Sequence, residues 1–280
     1  MTVSADEIPS FDGQLALQHI ARQLAFGPRT VDSAGKQDTL EYIRQQLEPV
    51  ADNLVIQTFT SYELEGSNLW ATFRGSEDTS RIMLGAHWDT RPVADKDSFS
   101  RRNKPVPGAN DGASGVAVLL EIARLLAIKR PSVTVDLVFF DLEDMGKING
   151  LPFSIGAKAF VNKNHFYRPA AGIVVDMVCD KNLKIPRELH SQTKARSLMN
   201  RLWQIAERQK ATAFKNRSGG FIKDDHLPFL QKGIPVVNLI HYPFPIYWHT
   251  TSDTFDKCSS SSLQQVGNVI VEFLYSDYPP

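Results

Sequence analysis

From residue 81 onward the chain alternates two kinds of segment. Short apolar runs at 81–86, 133–140, 171–175 and 236–240 predict buried strands. Pro235 stands just before the last run, where a missing N–H is tolerated. Between the runs lie segments with apolar residues at every third or fourth position, which predict helices. One opens at 108–115 and continues to about 127; the others fall near 155–161, 194–208 and 263–274, with a short helix at 224–231. Ahead of residue 81, segments 14–24 and 34–47 have helical spacing, and Ser33, Asp38 and Thr39 offer capping groups nearby. Segments 53–60 and 68–74 are rich in β-formers and predict two antiparallel strands. Apolar strands alternating with amphipathic helices imply an α/β fold: a three-layer sandwich with a central mixed, mostly parallel sheet flanked by helices. At 280 residues the chain is within reach of a single domain, and one domain over 1–280 is expected.

Composition narrows the function classes. The 31 basic and 31 acidic residues cancel, so the basic excess of a nucleic-acid partner is missing. No stretch approaches the roughly 20 apolar residues of a membrane helix, so no membrane span is expected. The start, residues 1–12, lacks a basic region followed by an apolar run, which leaves a cytoplasmic chain or one whose leader was removed. Cys179 and Cys258 form no CxxC pair, so a thiolate metal site is not indicated. One bridge between them is possible but not readable from the sequence, and the plainer reading is two ordinary thiols.

The chemistry-bearing residues gather where the apolar runs stop. His87 and Asp89 follow the first, Glu143 and Asp144 the second, and Asp176 the third. His249 lies beyond the fourth, and Asp111 opens the helix after a long polar loop. In parallel sheets, ligands bind beyond the carboxyl ends of the strands, so these side chains are expected on one rim. Taken singly, each has a plain reading: Asp111 as a helix cap, Asp176 as a solvated strand end, His249 as a hydrogen-bonded surface or core group. Taken together they are hard to explain without a cation, because buried carboxylates without partners cost several kcal/mol. Carboxylate and imidazole donors without thiolate favour zinc in a partly open site. Glu143 and Asp144 are adjacent and point in different directions, so one can bind metal while the other carries protons.

Four motifs extend this reading: His87-Trp88-Asp89, Pro107 to Gly115 (PGANDGASG), Phe139 to Asp144 (FFDLED) and Trp248-His249-Thr250. They resemble the zinc aminopeptidase superfamily. Asp224 to Leu230 (DDHLPFL) and Pro243 to Thr250 (PFPIYWHT) make the chain most similar to its glutaminyl-peptide cyclotransferase branch, especially bacterial members of the animal type. The resemblance covers roughly residues 11–275 and implies one zinc per chain held by Asp111, Asp144 and His249. It implies Glu143 as general acid/base, Asp176 and Asp224 as a hydrogen-bonded acidic pair, and Trp248 and Phe244 as pocket walls. The implied substrates are peptides or proteins with an amino-terminal Gln, turned over by a monomer. The chain departs from the animal pattern in three ways. Segment 145–153 has no tryptophan, Asp144 stands where animal cyclases use glutamate, and the animal disulfide has no evident counterpart.

The main rival is a two-zinc aminopeptidase, since His87 and Asp176 are retained as ligand types for a second metal beside a bridging Asp111. A catalytically dead binding module would show a damaged ligand set, and Ser114 lacks the GxSxG setting of a serine hydrolase.

Overall fold

The computed structural model of the protein describes residues 8–77 and 80–276. Residues 1–7 of the segment read for a leader lie outside the described residues. Helices α1 (Gly13–Ala25) and α2 (Ala34–Leu47) lead into strands β1 (Asn53–Ser61), β2 (Leu64–Phe73) and β3 (Arg81–His87). Then follow α3 (Ala113–Ile128), β4 (Thr134–Phe140), α4 (Ile155–Lys163), β5 (Ala171–Asp176) and β6 (Ile185–Arg187). The rest comprises α5 (Leu189–Lys194), α6 (Arg196–Arg208), β7 (Phe214–Ser218), α7 (His226–Gln231), β8 (Val236–Ile240) and α8 (Ser260–Tyr275).

The main sheet runs β1-β2-β4-β3-β5-β8. β4, β3, β5 and β8 are mutually parallel, while β2 is antiparallel to both β1 and β4. This is the expected mixed, mostly parallel sheet. Every residue of β4, β5 and β8 is buried, as a sheet covered on both faces requires. α3 packs on β3 and β5 and against α1 and α8. It therefore buries residues all around its circumference. Gly115 allows that approach, because a Cβ there would stand 2.2 Å from the Val175 carbonyl oxygen. α4 and α7 pack together, and Phe140, Phe160 and Phe229 interlock between them and the sheet, with ring centroids 5.8–6.1 Å apart. Among the described residues, no helix is long and apolar enough to cross a membrane.

The helix expected near 194–208 is α6, but the short helix α5 just before it went unmarked in the sequence. β6 and β7 form a small second sheet that the apolar pattern did not mark. Cys179 and Cys258 are not free thiols but a disulfide. They lie 79 residues apart, and only the return of the chain from β8 toward α8 brings their Cα atoms within 4.6 Å. Closing a loop of that length stabilises a fold by about 4 kcal/mol in the chain-entropy picture.

A buried polar chain links α5 to the strand ends. Glu188 caps α5, accepting from the His190 and Ser191 amides at 2.9 and 2.6 Å. It also accepts from the Ile222 amide at 3.1 Å, and His226 Nε2 lies 3.2 Å away. Ser191 Oγ donates to Glu188 and accepts from the Asn238 amide. Burial pushes the Glu188 carboxyl up, but His226 and the amide donors outweigh it and hold it down at about 2. Because the folded value lies below the ordinary one, this carboxylate stabilises the fold above the ordinary carboxyl range. That contribution is lost as pH falls toward about 2. Glu188→Gln is therefore expected to lower the melting temperature clearly at neutral pH. Thermal melts across pH should show the gap from wild type closing below about pH 4.

Candidate metal centre and substrate pocket

Several of the chemistry-bearing residues, His87, Glu143, Asp144 and Asp176, sit where a strand ends. Leu142, Met177 and His249 all have positive φ, 57°, 49° and 57°, which a side chain rarely adopts. The cost is borne where the chain must turn hard off the sheet rim, a pattern typical of functional sites. Gly112 permits another close approach, since a Cβ there would meet His87 at 2.6 Å.

Two buried aspartates hold the backbone of this rim. Asp89, just past β3, accepts from the Glu143 and Asp144 amides at 3.0 and 3.1 Å. Asp253 accepts from the Asn110 and Asp111 amides at 2.9 and 3.1 Å. Each carboxylate thus fixes two successive residues, so their side chains project with little freedom. Arg91 donates to both the carbonyl and the Oδ1 of Asp144 at 3.0 Å and to Asp95 at 2.6 Å. Asp95 in turn lies 3.4 Å from His249 Nδ1. The polar loop at 90–107 therefore packs against the rim.

Three acid or imidazole groups result. In the first, Asp111, Asp144 and His249 bring ligand atoms within 4.8 Å of one another. His249 Nε2 is 3.2 Å from Asp144 Oδ1 and 3.7 Å from Asp111 Oδ2. In the second, His87 Nε2 is 3.1 Å from Asp111 Oδ1 and 3.2 Å from Asp176 Oδ1. Asp111 is common to both. The third comprises Glu143, Asp224 and Asp225.

The first group fits a divalent zinc ion. Its donors are two carboxylates and an imidazole, with no thiolate. Asp144 Oδ2 is buried and has no hydrogen-bond partner among the described residues. Burial and the Asp111 charge push the Asp144 carboxyl up against the pull of His249. Burial pushes the His249 imidazolium down, yet Asp144 and Asp95 lift it to about 9. The His87 imidazole is likewise held well above its ordinary range by Asp111 and Asp176 despite burial. The surplus of negative charge thus draws protons onto both histidines, and a cation would supply the same counter-charge.

Next to these groups is a pocket of about 280 Å³. Glu143, Asp176 and Asp224 line its polar side, and Phe244 and Trp248 its apolar side. Trp248 stacks on His249 with ring centroids 3.7 Å apart and leans on Phe244 at 4.3 Å. Segment 145–153, which lacks tryptophan, still supplies an aromatic wall through Phe153. Burial first, then Asp224, Asp225 and Asp144, push the Glu143 carboxyl well above the ordinary range. Burial and nearby Asp111 raise Asp176 to about 8, against His87. A larger cleft of about 480 Å³ lies by Trp88, but its buried Asp141 is engaged by Lys36 at 2.9 Å and by the Ser67 and Leu142 amides.

All the residues singled out in the sequence reach one site, with one change in wiring. Asp176 and Asp224 face the same pocket but share no hydrogen bond. Asp176 meets His87, while Asp224 accepts from Asn238 Nδ2 at 2.6 Å and from the Asp225 amide at 2.5 Å. Asp111 does not cap α3, whose N-cap is Gly112. Sequence reasoning missed the clamping role of Asp89 and all of Asp253, Arg91 and Asp225. Asp225 is fully buried, and neither of its oxygens has a hydrogen-bond partner among the described residues. Its only mark in the sequence was its place next to Asp224.

A scan of family models matches residues 68–274 to peptidase family M28. The chain is 23% identical to the glutaminyl-peptide cyclotransferase of Bos taurus, over 86% of this chain and 76% of that protein. Among solved structures it is similar to Bacteroides thetaiotaomicron glutaminyl cyclase bound to N-acetylhistamine. The TM-score is 0.92 at 30% identity, covering 97% of this chain and 100% of that one. It is also similar to a Zn-dependent exopeptidase from Parabacteroides distasonis, with TM-score 0.91 at 32% identity over 96% and 100%.

Asp225 yields a direct test of the local electrostatics. Burial and the neighbouring Asp224 push its carboxyl well above the ordinary range, so the folded chain retains a proton that the unfolded chain releases. Its contribution to stability therefore falls as pH rises above the ordinary carboxyl value. Asn has the same shape and cannot ionise. In chelator-treated protein, the melting temperature of Asp225→Asn relative to wild type is expected to climb between about pH 5 and about pH 8.

Proposed function

The chain belongs to peptidase family M28, and on that premise we propose that it is a glutaminyl-peptide cyclotransferase, converting an amino-terminal Gln to pyroglutamate with release of ammonia. The observation that carries the reading is the first acid–imidazole group. Two of its members, Asp111 and His249, line a small pocket walled by Trp248 and Phe244, and a buried oxygen of the third, Asp144, has no hydrogen-bond partner among the described residues. Asp111, Asp144 and His249 would hold one zinc per chain. When bound, zinc acts as a Lewis acid on an amide oxygen.

The remaining steps belong to side chains. Trp248 and Phe244 clamp the short Gln side chain in a bent conformer. Holding reacting atoms in line can remove on the order of 7–11 kcal/mol of barrier in the best model cases. Glu143, which lines the pocket, accepts a proton from the α-amine as its nitrogen attacks the γ-carboxamide carbon. The new C–N bond closes the ring. The old C–N bond breaks, and Glu143 returns the proton to the departing nitrogen, which leaves as ammonia. Asp224, fixed by Asn238, and Asp176, fixed by His87, receive N–H bonds from the substrate at the same wall.

We read residues 1–280 as one catalytic domain acting as a monomer on peptides or proteins that begin with Gln. The Cys179–Cys258 bridge fits an oxidising compartment. The group formed by His87, Asp111 and Asp176 supports a second reading, a two-zinc aminopeptidase in which Asp111 bridges.

Mass analysis of a Gln-initiated peptide separates the two. The cyclotransferase yields ammonia and an unshortened product, whereas release of free Gln would establish the peptidase. Metal analysis should give one zinc per chain, and chelation should stop turnover. Glu143→Gln is expected to lower kcat by about 10²–10⁴-fold with a smaller change in KM.

A further inference from the structure

The chain is neutral overall, but charge is segregated at the pocket. Its floor is acidic, while Lys96, Lys147 and Lys223 stand at the mouth. Lys147 and Lys223 line the pocket, and the Lys96 ammonium lies 5.9 Å from the Trp248 ring centroid. All three side chains are exposed. Among the described residues, none of the three has a carboxylate within ion-pair distance, unlike Lys36 with Asp141.

The backbone under each lysine is held in place. The Lys96 amide donates to the His249 carbonyl at 3.2 Å, and the Lys147 amide to the Leu151 carbonyl at 2.7 Å. Lys223 follows Ile222, whose amide is bound by Glu188. Phe153 and Phe221 flank the lysines, Phe221 with 67% of its surface exposed. A pocket of about 280 Å³ is small, so with the first residue seated the following residues must cross this rim.

We propose that the mouth is a specificity subsite for a side-chain carboxylate on the second or third residue of the peptide, read by Lys96, Lys147 and Lys223. The proposal rests on the reading of the pocket as the seat of an amino-terminal Gln. Unpaired ammonium groups on fixed backbone attract an acid without first breaking an ion pair. The aromatic rims pack against its aliphatic stem. A basic second residue would instead face three like charges.

The experiment compares C-terminally amidated peptides that begin Gln-Glu, Gln-Gln or Gln-Lys and are otherwise identical. At low salt, kcat/KM should be roughly three- to tenfold higher for Gln-Glu than for the isosteric Gln-Gln, mainly through KM, and lowest for Gln-Lys. The ratio should shrink as salt rises, because exposed charges are screened. In a folded K96Q/K147Q/K223Q variant it should fall close to one. A Gln-Glu to Gln-Gln ratio at or below one at low salt, or one unchanged in the triple variant, overturns the proposal. Calorimetric titration of the same peptides into the Glu143→Gln protein reads the rim without turnover. The same binding order with no cyclisation by wild type would sink the cyclotransferase reading and keep the subsite. Cyclisation without that order would do the reverse.

Discussion

The structure depends on keeping many acids out of water on one rim of the sheet. Asp111, Glu143, Asp144, Asp176, Asp224 and Asp225 are all buried around one pocket. Each buried charge costs several kcal/mol unless something compensates it. The compensation is divided. Backbone amides of the rim are gathered by Asp89 and Asp253, Asp224 accepts from Asn238 Nδ2 and the Asp225 backbone N–H, and Arg91 reaches Asp144. His87 and His249 are drawn to the positive form. What remains uncompensated, above all Asp144 Oδ2, is the part suited to a cation.

This arrangement explains why the two conceivable metal groups differ. In the second, His87 Nε2 already meets Asp111 and Asp176 together. In the first, a carboxylate oxygen still lacks a partner, and an aromatic ring covers one face of the imidazole. The fold supplies rigidity for both through the fully buried parallel strands, while residues in left-handed conformation aim the side chains. Lys147, Phe153 and Phe221 stand on loops that line the pocket.

The polar network behind the pocket joins stability to function. Glu188 caps α5, binds the Ile222 amide and, through Ser191, touches Asn238, which holds Asp224. A change in this network is felt both in the helix cap and in the pocket wall. The Cys179–Cys258 bridge ties the turn after β5 to the start of the segment leading into α8.

The sequence by itself determined the alternation of strands and helices, the parallel core of the sheet, and the candidate ligands. A 3.6- or 2-residue apolar period is a local property, and acids at the ends of apolar runs are visible in one dimension. It could not determine the β6–β7 pair or the disulfide, which depend on packing between distant segments. Nor could it assign Asp89 and Asp253 as amide clamps, or find that Asp225 is fully buried beside Asp224. The charge and hydrogen bonding of a buried side chain are fixed by whatever the fold places within a few ångströms. Only the tertiary structure makes Asp176 a partner of His87 rather than of Asp224, and sets Lys147 and Lys223 beside an acidic floor.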